Sequence, residues 1–425
     1  MKSFSSSSFA SDNAVALDLA ADAVRDNPQA LFTDFQWFLF EGKDTIYFTA
    51  FSKTHFEKEM VEDLVEQMVA LAPQLTHGFK GARPGHPFAR HILHAITSVE
   101  DVDSFEGYPD KWLSISRDVF ATPELPLFRV MAANLKGGPD AEGRASIIQV
   151  RSAHALLEGS DSSLLTRSQT ANHGIQSDAG NQVGWRARAG GAFRGYLMAA
   201  IHTIVSHLRA PEPKPMAFKT LALPRQRMRA LATKLGVRQR SLYFALVTFA
   251  LLSERERRSK EKVITAAYTM LDTKRTASDD DFFRVRALEA KFPYEADFVT
   301  YARAVDRAMD ETEKKDITKF QLLILAMMGA HRRLHRIAPW LHNERFWRYS
   351  GEMDLVLTLV PPHRSYGPMT QWMIEPIYCG AYHPAVNICT FCPGREYMTL
   401  NFVMEQRHID HVSRIMPLIE ASEAA

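Results

Sequence analysis

The stretch VRSAHALLEGSDSSLL, residues 150–165, sets one histidine between a strand-like run and a helix-like run. In the preceding ASIIQVRSA, Ile148, Val150 and Ser152 alternate onto one face, and His154 would continue that face if the strand ran on. Gly159 supplies a turn. Ser160 or Asp161 can then cap a helix opening at SSLL, because a short side-chain oxygen accepts from the orphan N–H groups of a first turn. The predicted order is strand, histidine, tight turn, helix. A histidine so placed is either a general base at the bottom of a cleft or a core residue satisfied by its neighbours. HALLEG alone is too short to choose between them.

Composition narrows the field. At 425 residues the chain exceeds one ordinary core and predicts two domains of comparable size. With 46% hydrophobic and 24% charged residues it is globular in type, neither disordered nor fibrous. Fifty-one basic residues against 49 acidic ones give no overall field to recruit nucleic acid. Three cysteines cannot make a disulfide framework, which predicts a reducing, cytoplasmic setting. Asp12, Asp18 and Asp22 interrupt the hydrophobicity of the first two dozen residues, so residues 1–25 read as a mobile segment and not a signal peptide. LLILAMMGA, 322–330, is far short of the ~20 apolar residues a membrane span needs.

Along the chain, THFEKEMVEDLVEQMVALAP has a capping-box spacing, Thr54 to Glu57, and sets Val61, Leu64, Val65 and Met68 on one helical stripe. The prolines of RAPEPKPMAFK favour an extended connector, which divides the chain into a first domain over 26–208, a linker over 209–220 and a second domain over 221–425. Pro224 and Gly236 bracket a helix with Met228, Leu231 and Leu235 on one side. SLYFALVTFALL is apolar all round and predicts a helix buried on every face. VITAAYTML reads as a strand, 281–338 as largely helical, and MDLVLTLV, VNICTF and YMTLNFVM as strands.

Read together, these segments resemble the wax ester synthase/diacylglycerol acyltransferase family, within the superfamily of condensation domains and CoA-dependent acyltransferases. The family's HHxxxDG motif falls on Ala153, His154, Glu158 and Gly159, so that only the second histidine is kept and Glu replaces Asp. LPLFRV, 125–130, resembles its PLWxxxL segment, and FTDFQWFLF, 32–40, its N-terminal segment. The run from MAFKTLALP through ITAAYTMLDTKR matches the start of its second domain in order, and AVNICTFCPGREYMTLNFVME its closing strand pair around Asn387 and Gly394. The anchors run from about residue 32 to 420. Two further elements depart: an Asn-Asp pair is here Arg240-Ser241, and a Ser-Asn-Val-Pro-Gly element is here Thr358 to Pro362.

The resemblance implies two chloramphenicol-acetyltransferase-like α/β domains, mixed sheets flanked by helices, with a tunnel between them and some strands exchanged across the boundary. It implies that His154 is the general base of acyl transfer, that Glu158 and Gly159 support its loop, and that Asn387 binds substrate. No metal or resident cofactor is implied; acyl-CoA enters as co-substrate, with an alcohol or partial glyceride as acceptor. The same resemblance accommodates a carrier-protein donor or an amine acceptor, or a lapsed homologue that binds an acyl ligand or a partner protein. The missing first histidine favours the lapsed form; the retained His154 and Gly159 favour an enzyme.

Other groupings carry blander readings. Cys379, His383, Cys389 and Cys392 suggest zinc, but a strand through VNICTF would turn positions 389 and 392 to opposite sides, which predicts buried thiols instead. HRRLHRIAPWLHNERFWRYSG, 331–351, interleaves arginines with aromatics and is a candidate for peripheral contact with the inner membrane face or for a CoA phosphate. Its blander reading is a solvated helix face followed by a packed aromatic loop. His173, His202 and His207 match nothing in the resemblance and are expected to be structural or exposed.

Overall fold

The structure, a computed structural model, describes residues 34–71, 73–76, 88–108, 111, 118–122, 124–156, 185–209, 212, 215–254, 264–271, 285–314, 318–348, 355–360, 372–383 and 386–424. The strands are β1 Thr45–Ser52, β2 Thr97–Val102, β3 Phe128–Leu135, β4 Ser146–Ala153, β5 Met216–Pro224, β6 Ile264–Leu271, β7 Val285–Phe292, β8 Leu355–Leu359, β9 Met373–Tyr382, β10 Ile388–Pro393 and β11 Tyr397–Glu405. The helices are α1 Asp34–Glu41, α2 Lys58–Leu71, α3 Arg90–Ile96, α4 Trp185–Arg209, α5 Arg225–Leu235, α6 Gln239–Leu251, α7 Phe298–Glu313, α8 Thr318–Ile337, α9 Glu344–Trp347, α10 Gln406–Ile409 and α11 Ile415–Ala424. They build two mixed sheets flanked by helices, as expected.

The first sheet runs β2-β3-β4-β1-β9. Period-two alternation decides its faces: Ile46, Phe48 and Ala50 of β1 and Ile148 and Val150 of β4 point to one side. There they meet Trp37 of α1 and the predicted stripe Val61, Leu64, Val65 and Met68 of α2 in one core. The capping box does not form. The Asn134 carboxamide takes both backbone groups of Phe56, at 2.9 Å each, so the segment before α2 is tied to β3 and the helix begins only at Lys58.

The second sheet runs β5-β11-β10-β8-β6-β7. Met398, Leu400, Phe402 and Met404 of β11 and Cys389 and Phe391 of β10 share a core with α5, α6 and α7. α5 lies between Pro224 and Gly236 as predicted; Gly236 takes φ +70°, a left-handed cap that glycine adopts without steric cost. α6 buries Ser241 to Thr248 on every side, as its composition requires. Two differences stand out. Residues 285–292, inside the stretch read as largely helical, form β7, where antiparallel pairing with β6 overrides the helix-forming residues of VRALEAKF. β5 begins at Met216, within the stretch read as connector, because Met216 to Pro224 pair along the whole of β11.

The strand that joins the halves is β9. It comes from the C-terminal half yet pairs antiparallel with β1 as the edge of the first sheet. An edge strand leaves carbonyls unpaired, and the second sheet covers them: Thr399 Oγ1 of β11 donates to Ile377 O at 2.6 Å. The ladder slips between Ala50 and Phe51, whose partners are Ile377 and Ile374, leaving Glu375 and Pro376 as a bulge. That bulge lets Glu375 reach the β10–β11 turn, where its carboxylate accepts from the N–H groups of Arg395, Glu396 (2.9 Å) and Tyr397 (3.2 Å). Gly394 makes room there, since a Cβ would lie 2.5 Å from the Glu375 carboxylate and would push it off these donors.

Candidate active site

β4 stops at Ala153 and the chain reverses at once. Leu156 N–H donates to Ala153 O at 3.0 Å, with His154 and Ala155 between them. His154 N–H donates to Asp44 O at 2.8 Å, Ala153 N–H to Leu127 O at 2.8 Å, and Gln36 Nε2 of α1 to Ala155 O at 3.0 Å. Ala153, Ala155 and Leu156 are sunk in the first core, whereas His154 is only half-buried. The expected strand, histidine and turn are therefore in place, and the backbone around the histidine is held from three directions. Pinning of this kind fixes where the His154 backbone sits.

Strand register brings in two residues that the motif does not contain. Thr45 stands opposite both Ala153 and Tyr382, so Asp44, His154 and His383 lie one step beyond the paired ends of three neighbouring strands. His383 Nε2 is 3.6 Å from Asp44 Oδ1, with both side chains mostly buried. Asp44 thus holds His154 through its carbonyl and faces His383 through its carboxylate. At this separation the two form an ion pair whenever the imidazole is protonated. In the sequence His383 stands only among candidate metal ligands and Asp44 belongs to no motif; the pairing of β1 with both β4 and β9 is what joins them.

The first sheet's other face has an apolar cluster at one end, with Phe51, Ala133 and Ile147 against Val102 and Phe105, and polar side chains beyond it. Gln149 Nε2 donates to Thr49 Oγ1 at 2.9 Å, and Arg151 stands directly opposite Arg129 on β3. Arg129 Nη1 donates to Pro126 O at 2.6 Å and Phe128 O at 2.7 Å, the kind of partners a buried guanidinium needs. At the junction Tyr47, Tyr382, Val403, Met216 and Phe218 pack together from both sheets. On the second sheet, the face that carries Thr399 also carries a row in register across four strands: Thr358, Thr390, Asn401 and Thr220. Thr358 opens the departed Thr358 to Pro362 element.

Of the remaining expected site residues, Glu158 and Gly159 lie outside the described residues, as does His173. Asn387 sits where the chain leaves β9 for β10; its Oδ1 accepts from Glu405 N–H at 2.9 Å and its carbonyl from Val356 N–H at 2.8 Å. Both contacts bind strand ends together. Cys389 packs into the second core, and Cys379 and Cys392 into the first, so β10 does turn positions 389 and 392 to opposite sides. Burial pushes the Cys379 and Cys389 thiols well above the usual range, helped at Cys379 by hydrogen bonding with Cys392.

The 331–351 stretch divides. Arg333 and Arg336 are exposed, and Phe346 is buried, but Trp340 is exposed and not packed as the blander reading expected. His331 and His342 are buried side by side, Nδ1 to Nε2 at 3.3 Å, against Phe346. His202 of α4 stacks edge-on to both His331 and Phe346. Burial, reinforced by the neighbouring imidazoles, pulls His331 down to about 3 and His342 to about 4. Among the described residues no group of three or more His, Cys, Asp or Glu is arranged to hold a metal ion.

Where the resemblance expects Asn-Asp, Arg240 and Ser241 clasp α7. Ser241 Oγ donates to Asp306 Oδ1 at 2.5 Å, Arg238 Nε to the same oxygen at 2.7 Å, and Arg240 pairs with Glu313. Burial would raise the Asp306 carboxyl, but the Ser241 hydroxyl and Arg238 outweigh it and hold it below the usual range.

No family model matches the sequence, and no curated protein matches it. Solved structures do match in fold. The TRI3 trichothecene 15-O-acetyltransferase from Fusarium sporotrichioides is 12% identical, with 95% of this chain and 94% of that one covered at a TM-score of 0.57. A nonribosomal peptide synthetase, FmoA3, is 14% identical over 93% of this chain and 42% of its own, TM-score 0.51. The EpoB cyclization-docking bidomain from Sorangium cellulosum is 12% identical over 92% of this chain and 83% of its own, TM-score 0.50. At these identities the likeness is one of fold: this chain has the two-domain, chloramphenicol-acetyltransferase-like architecture.

Proposed function

We propose that this chain is an acyltransferase that moves an acyl group from a thioester, acyl-CoA in the first instance, to a hydroxyl, with His154 as general base. The observation that carries this reading is the pinned, half-buried His154 at the end of β4, next to the Asp44–His383 pair and at the strand ends where β9 leads into the second sheet. A structural neighbour named as an O-acetyltransferase supports the choice of oxygen as acceptor atom.

The chemistry balances without any further reagent. Neutral His154 takes the proton of the acceptor hydroxyl as its oxygen attacks the thioester carbonyl. The tetrahedral intermediate collapses, the C–S bond breaks, and the imidazolium returns the proton to the departing thiolate. The products are an ester and a free thiol. A positioned base contributes about 10² to 10⁴ in rate. Asp44 acts as a positioning residue, Glu158 and Gly159 support the loop that follows, and an alcohol or partial glyceride is the acceptor. A tunnel between the domains would bring donor and acceptor to His154 from opposite mouths.

The second reading, a carrier-protein donor with an amine acceptor, is favoured by the likeness to a nonribosomal peptide synthetase. One experiment separates them. The purified chain is supplied with acyl-CoAs or an acylated carrier protein, each with alcohol or amine acceptors, and thiol release and acylated product are measured. Turnover with acyl-CoA and an alcohol is the expected result; turnover only with the carrier protein selects the second reading. Binding of acyl-CoA with no product in any combination would leave a lapsed enzyme and overturn both.

A further inference from the structure

α4 is packed inside out. Towards α8 it turns Gly195, Ala199, Thr203 and Ser206, which recur on one helical face and are buried. Small residues there allow a close crossing: a Cβ on Gly195 would lie 2.5 Å from the Cβ of Ala326. The hydroxyls are satisfied within the helix, Thr203 Oγ1 donating to Ala199 O at 2.8 Å and Ser206 Oγ to Thr203 O at 2.7 Å. The large apolar residues face the other way. Phe193, Leu197, Ile201, Ile204 and Leu208 form a stripe along the helix and are 72%, 52%, 50%, 60% and 79% exposed. Scattered apolar residues on a surface are ordinary, but a continuous stripe of ~22 Å, fifteen steps of ~1.5 Å from Phe193 to Leu208, is an interaction surface.

Charge says what covers it. α4 carries Arg186, Arg188, Arg194 and Arg209 and no acidic residue, and α8 carries Lys319, Arg332, Arg333 and Arg336, again with no acid. Arg194, Arg209, Arg333 and Arg336 are exposed. The Arg333 guanidinium donates to the Tyr196 hydroxyl and lies 5.6 Å from its ring centre, which sets a charge on the same helix as the stripe. Just beyond, Ile337 and Trp340 are exposed as well. A two-fold contact between copies of this face would set arginine against arginine. An apolar stripe on a basic helix without acids, beside a second such helix, fits an apolar surface with an anionic rim. No helix among the described residues is long and apolar enough to cross a membrane, so the fit is to lying on one.

We infer that α4 is an interfacial helix that lays the Phe193–Leu208 stripe into the headgroup region of an anionic lipid surface, with the flanking arginines on the phosphates. This stands apart from the catalytic reading of His154, and the test needs no activity. The full chain is floated with phosphatidylcholine vesicles, with and without phosphatidylglycerol, at low and high salt. The comparison is a Leu197→Gln/Ile201→Gln/Ile204→Gln variant, whose thermal unfolding should match the wild type because the replaced side chains are exposed. If the triple variant melts early, Ile204→Gln alone serves. Wild-type partitioning should rise roughly ten-fold or more with phosphatidylglycerol, fall with salt, and drop by a similar factor in the variant. Three results overturn the inference: no flotation of the wild type, equal flotation of a folded variant, or a lipid-independent oligomer that the variant dissolves into monomers.

Discussion

At the residue scale, the environment of each side chain decides what it can do. His154 keeps contact with solvent because only its neighbours enter the core; His331 and His342 lose that contact and with it their charge. Their depressed values have a consequence for stability. In the unfolded chain these imidazoles take up protons below about 6.5, whereas in the fold they stay neutral down to about 3 and about 4. This contribution is therefore fully present above pH 6.5 and is lost as pH falls below it, by up to about 2 kcal/mol for His331 at pH 5 and by less for His342. Urea unfolding of His331→Phe should show a shallower loss between pH 7 and pH 5 than the wild type; an equal slope would mean His331 is not buried neutral. Tyr47 offers a steric counterpart. Its hydroxyl lies over β9 where a Cβ on Gly380 would be 2.2 Å away. Gly380→Ala should destabilise by about 1–3 kcal/mol, read as a lower melting temperature.

Elements show how much could be read in advance and why the rest could not. α5, α6, β8, β10 and β11 follow from local signals: a proline and a glycine around one helix, a helix apolar all round, and short β-branched runs. The turn at His154 was legible for the same reason. β7 was not, because Ala, Leu, Glu and Lys at 285–292 favour a helix and only pairing with β6 makes a strand. β9 carries Pro376 and Gly380, both punctuation in a strand pattern, and its partner β1 lies some three hundred residues earlier. Asp44 and His383 were hidden with it. The α6–α7 clasp was visible only as a departure from a motif. Asp306→Ala should cost about 1–3 kcal/mol by leaving the Ser241 hydroxyl and Arg238 Nε without their shared acceptor. Since the Asp306 carboxyl is held low, its contribution is present above the unfolded carboxylate range and fades as pH falls through the lowered native value. Wild type and variant should therefore converge in acid, which denaturation at pH 7 and pH 3 would test.

Across the whole molecule, two sheets act as one body because a strand of the second half completes the first. The Glu375 bulge ties that strand to the turn of β10 and β11, and Thr399 covers its open edge. Glu375→Ala removes one acceptor group from three backbone donors and should lower stability by about 1–3 kcal/mol. The same crossing strand ends beside His154, so the proposed catalytic position depends on the halves staying together. The most direct measurement compares thiol release from acyl-CoA, with an alcohol acceptor, for wild type and His154→Ala at matched melting temperature. A fall of about 10² to 10⁴ in turnover with an unchanged fold is the predicted result. Wild-type turnover in the folded variant would contradict it.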